Sequence, residues 1–302
     1  MGGLAIVTAF FVGLIFAEFS RVHWETSPWL GWSVAGAGLI TVVGFVDDLR
    51  DLPILLRLLL YGIAAGFPIA GGIRLRSVDI PVFGMIEFGI LDIPLTVLWI
   101  MALVNFYNFM DGIDGLAAGV GAIVTGFLGY VAWKVGNSDI FIFSLLLGGS
   151  CLGFAWHNFP PAKIFMGDAG STFIGYILAV LALKGNQSGE LGHIPFFVPV
   201  LLLGTFLFDT IVTLGRRILS REKWYLSHRE HYYQKMTNLG FSHLQITLGE
   251  CGITFLLGVS ALLYIRANQA VAFSILIMWL IFLASLITLI TLLERKATRD
   301  KV

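Results

Sequence analysis

Ten runs of mostly apolar residues, each near the length of a bilayer-crossing helix, divide this chain and leave few folds open to it. They cover 3–19, 29–46, 53–73, 93–109, 115–133, 140–156, 170–183, 194–215, 246–265 and 270–293. Runs of roughly 17 to 25 apolar residues match the hydrocarbon thickness, and only helices or closed barrels satisfy their backbone groups there. Only 13% of the 302 residues are charged, against about 25% in an ordinary soluble domain. The runs therefore predict an all-α polytopic membrane protein, one domain over 1–302, with about ten transmembrane helices in the lipid bilayer. The nineteen basic and nineteen acidic residues balance, which excludes a general nucleic-acid surface. Cys151 and Cys251 both lie inside apolar runs and read as buried thiols rather than a disulfide framework.

Ten crossings put both termini on one side, and alternation then sorts the loops. Thirteen of the nineteen Lys and Arg fall on the side of the termini, while Arg21, Arg74, Arg76, Lys134, Lys184 and Arg266 fall on the other. The positive-inside bias makes the first side cytoplasmic. On the external side, VDIPVFGMIEFGILDIP within 74–94 is too punctuated to span and predicts a short β-hairpin, turning near Gly84 to Glu87.

Four polar clusters fall on the cytoplasmic side. In NFYNFMDGIDGLAAG, Asn105, Asn108, Asp111 and Asp114 recur at three-residue steps, which would place them on one helical face. Their amide and carboxylate oxygens suit a hard cation such as Mg²⁺. In VDDLRD, Asp47 and Asp48 are adjacent and Arg57 follows in the next helix; neighbouring carboxylates repel, so a cation or cationic side chain is expected between them. In KIFMGDAGST, Asp168 lies between Gly167 and Gly170 at the start of a run, where helix amides suit a phosphate or a metal-bound phosphate. In SHREHYYQK, His228, Arg229 and His231 suit an anion better than zinc, because no third ligand stands nearby. Taken singly, each cluster is also explained by a helix end, a polar turn, an N-cap or a basic loop. Together on one side they describe one site for phosphate chemistry with a divalent cation.

These same residues resemble the polyprenyl-phosphate N-acetylhexosamine-1-phosphate transferase family (glycosyltransferase family 4) over nearly the whole chain. VDDLRD is similar to its DD motif, NFYNFMDGIDGLAAG to its NxxNxxDGxDGLA motif, FMGDAGS to its FMGDxGS motif and HREHYYQ to its HxxH loop. The resemblance implies transfer of a sugar 1-phosphate from a UDP-sugar to undecaprenyl phosphate, giving undecaprenyl diphosphate sugar and UMP. That is the first membrane step of a cell-surface polysaccharide such as O-antigen, lipopolysaccharide or cell wall. It also implies Mg²⁺, with Mn²⁺ as a substitute, on Asp168 and Asn108, and uridine near Asp111, Asp114 and Phe165. Asp47 and Asp48 would face the lipid phosphate as the catalytic acids, Arg57 would stand for a basic residue that often follows the DD motif, and His228, Arg229 and His231 would meet the diphosphate or sugar. Similar proteins carry a further span and a basic loop before the Gly-rich segment matching Met1-Gly2-Gly3, so the chain is expected to lack the family's first span. A homodimer is one assembly the sequence allows.

Two rivals use comparable residues. An intramembrane Mg²⁺-dependent prenyltransferase would place its acids at NxxxDxxxD spacing, whereas Asn108, Asp111 and Asp114 run at three. A cation-coupled transporter would want acids near the bilayer midplane, and only Asp209, about two turns inside its run, stands there.

Overall fold

The structure, a computed structural model, describes residues 2–20, 28–187, 192–223 and 230–299. Twelve helices occur among the described residues: α1 (Gly3–Phe19), α2 (Pro28–Arg50), α3 (Ile54–Ala70), α4 (Asp92–Phe109), α5 (Leu116–Val135), α6 (Ser138–Asn158), α7 (Asp168–Gly185), α8 (Phe197–Leu202), α9 (Gly204–Leu219), α10 (Tyr232–Asn238), α11 (His243–Arg266) and α12 (Gln269–Arg299). Six of them, α2, α4, α5, α6, α11 and α12, are long and apolar enough to cross a membrane, and α1 and α3 are shorter apolar helices. The run expected over 194–215 breaks at Leu203 into α8 and α9, where Pro195, Pro199 and Gly204 crowd a short stretch with residues that interrupt helices. Cys151 is buried as expected and Cys251 is half-buried; both thiols are free.

Between α3 and α4 the chain forms a two-stranded antiparallel sheet, β1 (Ser77–Ile80) paired with β2 (Gly84–Glu87) in the register Ser77 to Glu87 and Ile80 to Gly84. The turn falls at Pro81-Val82-Phe83, upstream of its expected place. Val82 and Gly84 carry the positive φ values of 74° and 83° there, and Gly84 adopts that region without a Cβ penalty.

Helix α7 is the axis of the bundle: every residue from Ala169 to Gly185 is buried, as expected of a helix apolar on all sides. Its neighbours approach closely because glycine stands at the crossings. A Cβ on Gly44 of α2 would lie 2.7 Å from the backbone of Ala169, and one on Gly175 of α7 would lie 2.6 Å from the Leu103 carbonyl of α4. Small residues at such crossings let helix backbones meet in lipid. The consequence is positional: the C-terminal ends of α2 and α4 are drawn to the N-terminal end of α7.

Candidate active site

Where those three ends meet, a cavity of about 830 Å³ opens, lined by Asp47, Asp48, Arg57, Asn108, Asp111, Asp114, Phe165, Asp168 and His231 together with Asn158, Tyr233, Gln234 and His243. Connectivity puts it at the end of the bundle opposite the hairpin, since α2, α4 and α6 finish there and α3, α5, α7 and α11 start there. Nine of the eleven expected site residues therefore share one cavity. The other two, His228 and Arg229, lie outside the described residues.

The acids are not equivalent. Asp48 accepts from the backbone N–H of Asp168 at 2.8 Å and of Ala169 at 3.4 Å, and the next two amides of α7, those of Gly170 and Ser171, return to the Gly167 carbonyl. The amides expected to await a phosphate are thus already taken, by a carboxylate from another helix that complements the positive end of the dipole. Gly167 leaves room for it: its φ is 72°, and a Cβ there would lie 2.7 Å from Asp48 Oδ2. Asp47 is buried, accepts from the Leu52 N–H at 2.7 Å, and is bonded by the Arg57 guanidinium. Arg57 also stands 3.6 Å from Asp168 Oδ2. The cation expected between Asp47 and Asp48 instead joins Asp47 to Asp168, and Asp48 is balanced by the helix end.

Asn108 Nδ2 donates to Asp168 Oδ2 at 3.2 Å, while its Oδ1 accepts from Ser171 Oγ at 2.7 Å. In this orientation Asn108 braces Asp168; for its oxygen to face a metal the amide must rotate, with Ser171 turning from donor to acceptor. Helix α4 ends at Phe109, so Asp111 and Asp114 sit in a loop rather than on its face, and Asn105 turns back onto its own helix, donating to the Met101 carbonyl at 2.7 Å. The three-residue steps extend past the helix end, where periodicity no longer aligns side chains.

That loop is pinned on all sides. Gly115, at φ 77°, donates its N–H to Asn158 Oδ1 at 2.9 Å; Thr247 Oγ1 donates to the Asp114 carbonyl at 2.7 Å; Tyr233 Oη donates to the Phe109 carbonyl at 2.9 Å. The Asp114 carboxylate accepts from the Ala162 N–H at 3.1 Å and stands 3.5 Å from His243 Nδ1. Asp111 keeps partial exposure to the cavity while protein encloses it elsewhere. That burial raises its carboxyl well above the ordinary range, with the charges of Asp168 and Asp48 adding to the effect.

Among the described residues no group of three His, Cys, Asp or Glu is placed to hold a metal ion. The donors present suit a different kind of site: Asp168 faces the cavity with its side chain 28% exposed, and Mg²⁺ is commonly held by one or two carboxylates with substrate phosphates completing the shell. The residues fit such an ion.

The model of glycosyl transferase family 4 matches residues 29–186. The chain is 33% identical over 285 residues, 94% of its own length and 78% of the relative's, to a probable undecaprenyl-phosphate N-acetylglucosaminyl 1-phosphate transferase of Bacillus subtilis. The chain belongs to glycosyl transferase family 4. It is also 31% identical to a decaprenyl-phosphate N-acetylglucosaminephosphotransferase of Mycobacterium leprae, over 82% of this chain and 68% of that one. A phospho-N-acetylmuramoyl-pentapeptide-transferase of Chlorobium phaeobacteroides is 29% identical over 88% of this chain and 79% of that one.

Within this family 4 chain, sequence reasoning missed Asn158, Tyr233, Gln234 and His243, all of which line the cavity. His243 was findable, because Ser242 and Gln245 form a capping box that starts α11 at the site's end of the bundle. Tyr233 reads as an ordinary interfacial aromatic until its hydroxyl is seen on the Phe109 carbonyl.

Proposed function

We propose that the chain transfers a sugar 1-phosphate of N-acetylhexosamine type from a UDP-sugar to undecaprenyl phosphate, releasing UMP, at a cytoplasmic site in a protein of ten crossings. The observation that carries this reading is the convergence of three motif acids, Asp47, Asp48 and Asp168, with Arg57 in one cavity at the end of a membrane bundle. Such a place admits a lipid phosphate from the bilayer and a nucleotide from water. A phosphate monoester with a second pKa of about 6 is mostly dianionic at neutral pH, so it needs little help from a base. An oxygen of the lipid phosphate attacks the β-phosphorus of the UDP-sugar, and the bond from that phosphorus to the bridging oxygen breaks as UMP leaves. Attack by Asp47 or Asp48 through an acyl phosphate is the slower alternative, because Asp47 is tied to Arg57 and Asp48 to the α7 amides.

Mg²⁺, when bound, neutralises diphosphate charge and polarises the phosphoryl oxygens. Asp168 would hold it, braced by Asn108 and Arg57. Arg57 also offers positive charge next to the lipid-side acid Asp47. Phe165, 68% exposed at the cavity rim, presents a flat apolar face to a uracil ring. Asp111 and Asp114, on their pinned loop, offer acceptors or, for a protonated Asp111, a donor to the base and ribose. His231 lines the same cavity and would meet the diphosphate or sugar. The names of the relatives agree with this reaction and lend nothing to a prenyltransferase or a transporter.

The test uses the full chain in detergent or nanodiscs with UDP-N-acetylglucosamine, undecaprenyl phosphate and Mg²⁺. UMP release that requires the lipid, and that stops on chelation with EDTA, is expected. UMP release independent of the lipid acceptor, or transfer unaffected by EDTA, overturns the reading.

A further inference from the structure

A buried carboxylate is costly unless its oxygens are fully engaged, and Asp209, in the second turn of α9, is buried, with its side chain only 9% exposed. Both oxygens are engaged on one short segment. Oδ1 lies 3.0 Å from His231 Nδ1 and accepts from Thr213 Oγ1 at 3.1 Å; Oδ2 accepts from the N–H groups of Tyr232 at 2.9 Å and Tyr233 at 3.3 Å. His231, Tyr233 and Gln234 of the segment it holds line the cavity. His231 sits between the rings of Phe109, at 5.8 Å, and Tyr233, at 6.0 Å and nearly parallel, and Tyr233 in turn reaches the Phe109 carbonyl.

We infer that Asp209 is the positioning residue of the cavity's histidine: it holds His231 as the Nδ1-protonated tautomer and fixes the ring against the nucleotide-side loop. The chemistry follows from what a carboxylate can do. It only accepts, so in the neutral ring the nitrogen facing it carries the proton and Nε2 does not. Capping the α10 amides would be served as well by an Asn or Ser oxygen; the demand for a carboxylate comes from the imidazole. An Asn at 209 can keep its oxygen on the Tyr232 and Tyr233 amides, but its NH₂ group then faces Nδ1 and selects the opposite tautomer. The Glu230 carboxylate, which accepts from Arg216 and Arg217 at 2.6 Å each, anchors the residue before His231 to the same helix.

The consequence for turnover rests on the proposed transfer reaction, and the test separates the two. Nitrogen-15 NMR of histidine-labelled full chain in nanodiscs, with the His231 signal assigned by its loss in His231→Gln, should show protonated Nδ1 in the unmodified protein and its disappearance in Asp209→Asn. In lipid-dependent UMP release, Asp209→Asn should lower kcat by about 10- to 100-fold with a smaller change in KM and an unchanged melting temperature, Asp209→Glu should recover part of that loss, and Asp209→Asn should add nothing in a His231→Gln background. A neutral His231 protonated at Nε2 in the unmodified protein overturns the inference without any variant, as does full turnover of Asp209→Asn alongside an impaired His231→Gln. Normal turnover of His231→Gln, with the Nδ1 signature intact, instead removes His231 from the proposed reaction and leaves the contact standing.

Discussion

Two helices begin at the cavity beneath a carboxylate donated by another helix: α7 under Asp48 of α2, and α10 under Asp209 of α9. The device is shared and the electrostatics are opposite. At α7 the cap is an acid and the first helical residue, Asp168, is another acid, so the charge that steadies the amides opposes the charge of the working group. At α10 the cap is an acid and the residue it meets is a histidine, so the same charge serves both amides and ring. The first arrangement leaves a carboxylate ready for a cation, with Arg57 at 3.6 Å its one ion-pair partner among the described residues. The second gives one carboxylate to two amides and to Nδ1 of the ring.

The largest effect that could break this comparison is at Asp168. Asp168→Asn retains shape and the contact with Asn108 but removes the charge, and lipid-dependent UMP release should fall at least ~10²-fold with loss of Mg²⁺-dependent nucleotide binding. Asp47→Asn should slow transfer while calorimetric titration of UDP-sugar with and without Mg²⁺ stays near that of the unmodified chain; the reverse pattern exchanges the two roles. The cap itself is sharpened next. Asp48→Ala removes the acceptor from two part-buried amides and should cost about 1–2 kcal/mol of stability, read as a lower melting temperature, whereas Asp48→Asn keeps an acceptor and should recover much of it. Equal losses in both would mean the charge, not the hydrogen bond, does the capping.

A pH series tests the crowding of acids from the loop side. Asp111, raised by burial and by Asp168 and Asp48, holds its proton in the folded chain at pH values where the unfolded chain has released it. Its contribution to stability therefore falls as pH rises from the ordinary carboxylate range through its folded value. Asp111→Asn removes that dependence, so the difference in melting temperature, variant minus unmodified chain, should grow with pH across that window; a constant difference would contradict the assignment. The smallest effect belongs to Asn105→Ala, whose side chain among the described residues bonds its own helix alone: UMP release should be unchanged and stability altered by no more than about 0.5 kcal/mol.

The helical membrane architecture was legible because apolar run length is a one-dimensional property, and the grouping of acids was legible because alternation of crossings sends their loops to one end. The break at Leu203 and the loss of register after Phe109 were not, since both depend on where a helix stops rather than on what composes it. The roles inside the DD motif were harder still. Two adjacent aspartates look alike in sequence, and only the packing of α2 against α7 at Gly44 decides that one side chain meets an arginine and the other a helix end. Asp209 showed in the sequence as an acid well inside an apolar run, but its partners on the His231 segment lie 22 to 24 residues away, beyond the reach of helical periodicity.

The left-handed turn at Gly167 has a consequence for how such a chain can change over generations. Its φ of 72° and the Asp48 oxygen 2.7 Å from where a Cβ would stand make positions 48 and 167 epistatic. Any side chain at 167 must displace the carboxylate as well as strain the backbone, so Gly167→Ala is most harmful while Asp48 is present and is relieved only in part once Asp48→Ala has vacated the space. Neither position can be changed first without a loss, and a lineage drifting away from this pair would have to cross that valley in two steps, which holds positions 48 and 167 together as a single heritable unit.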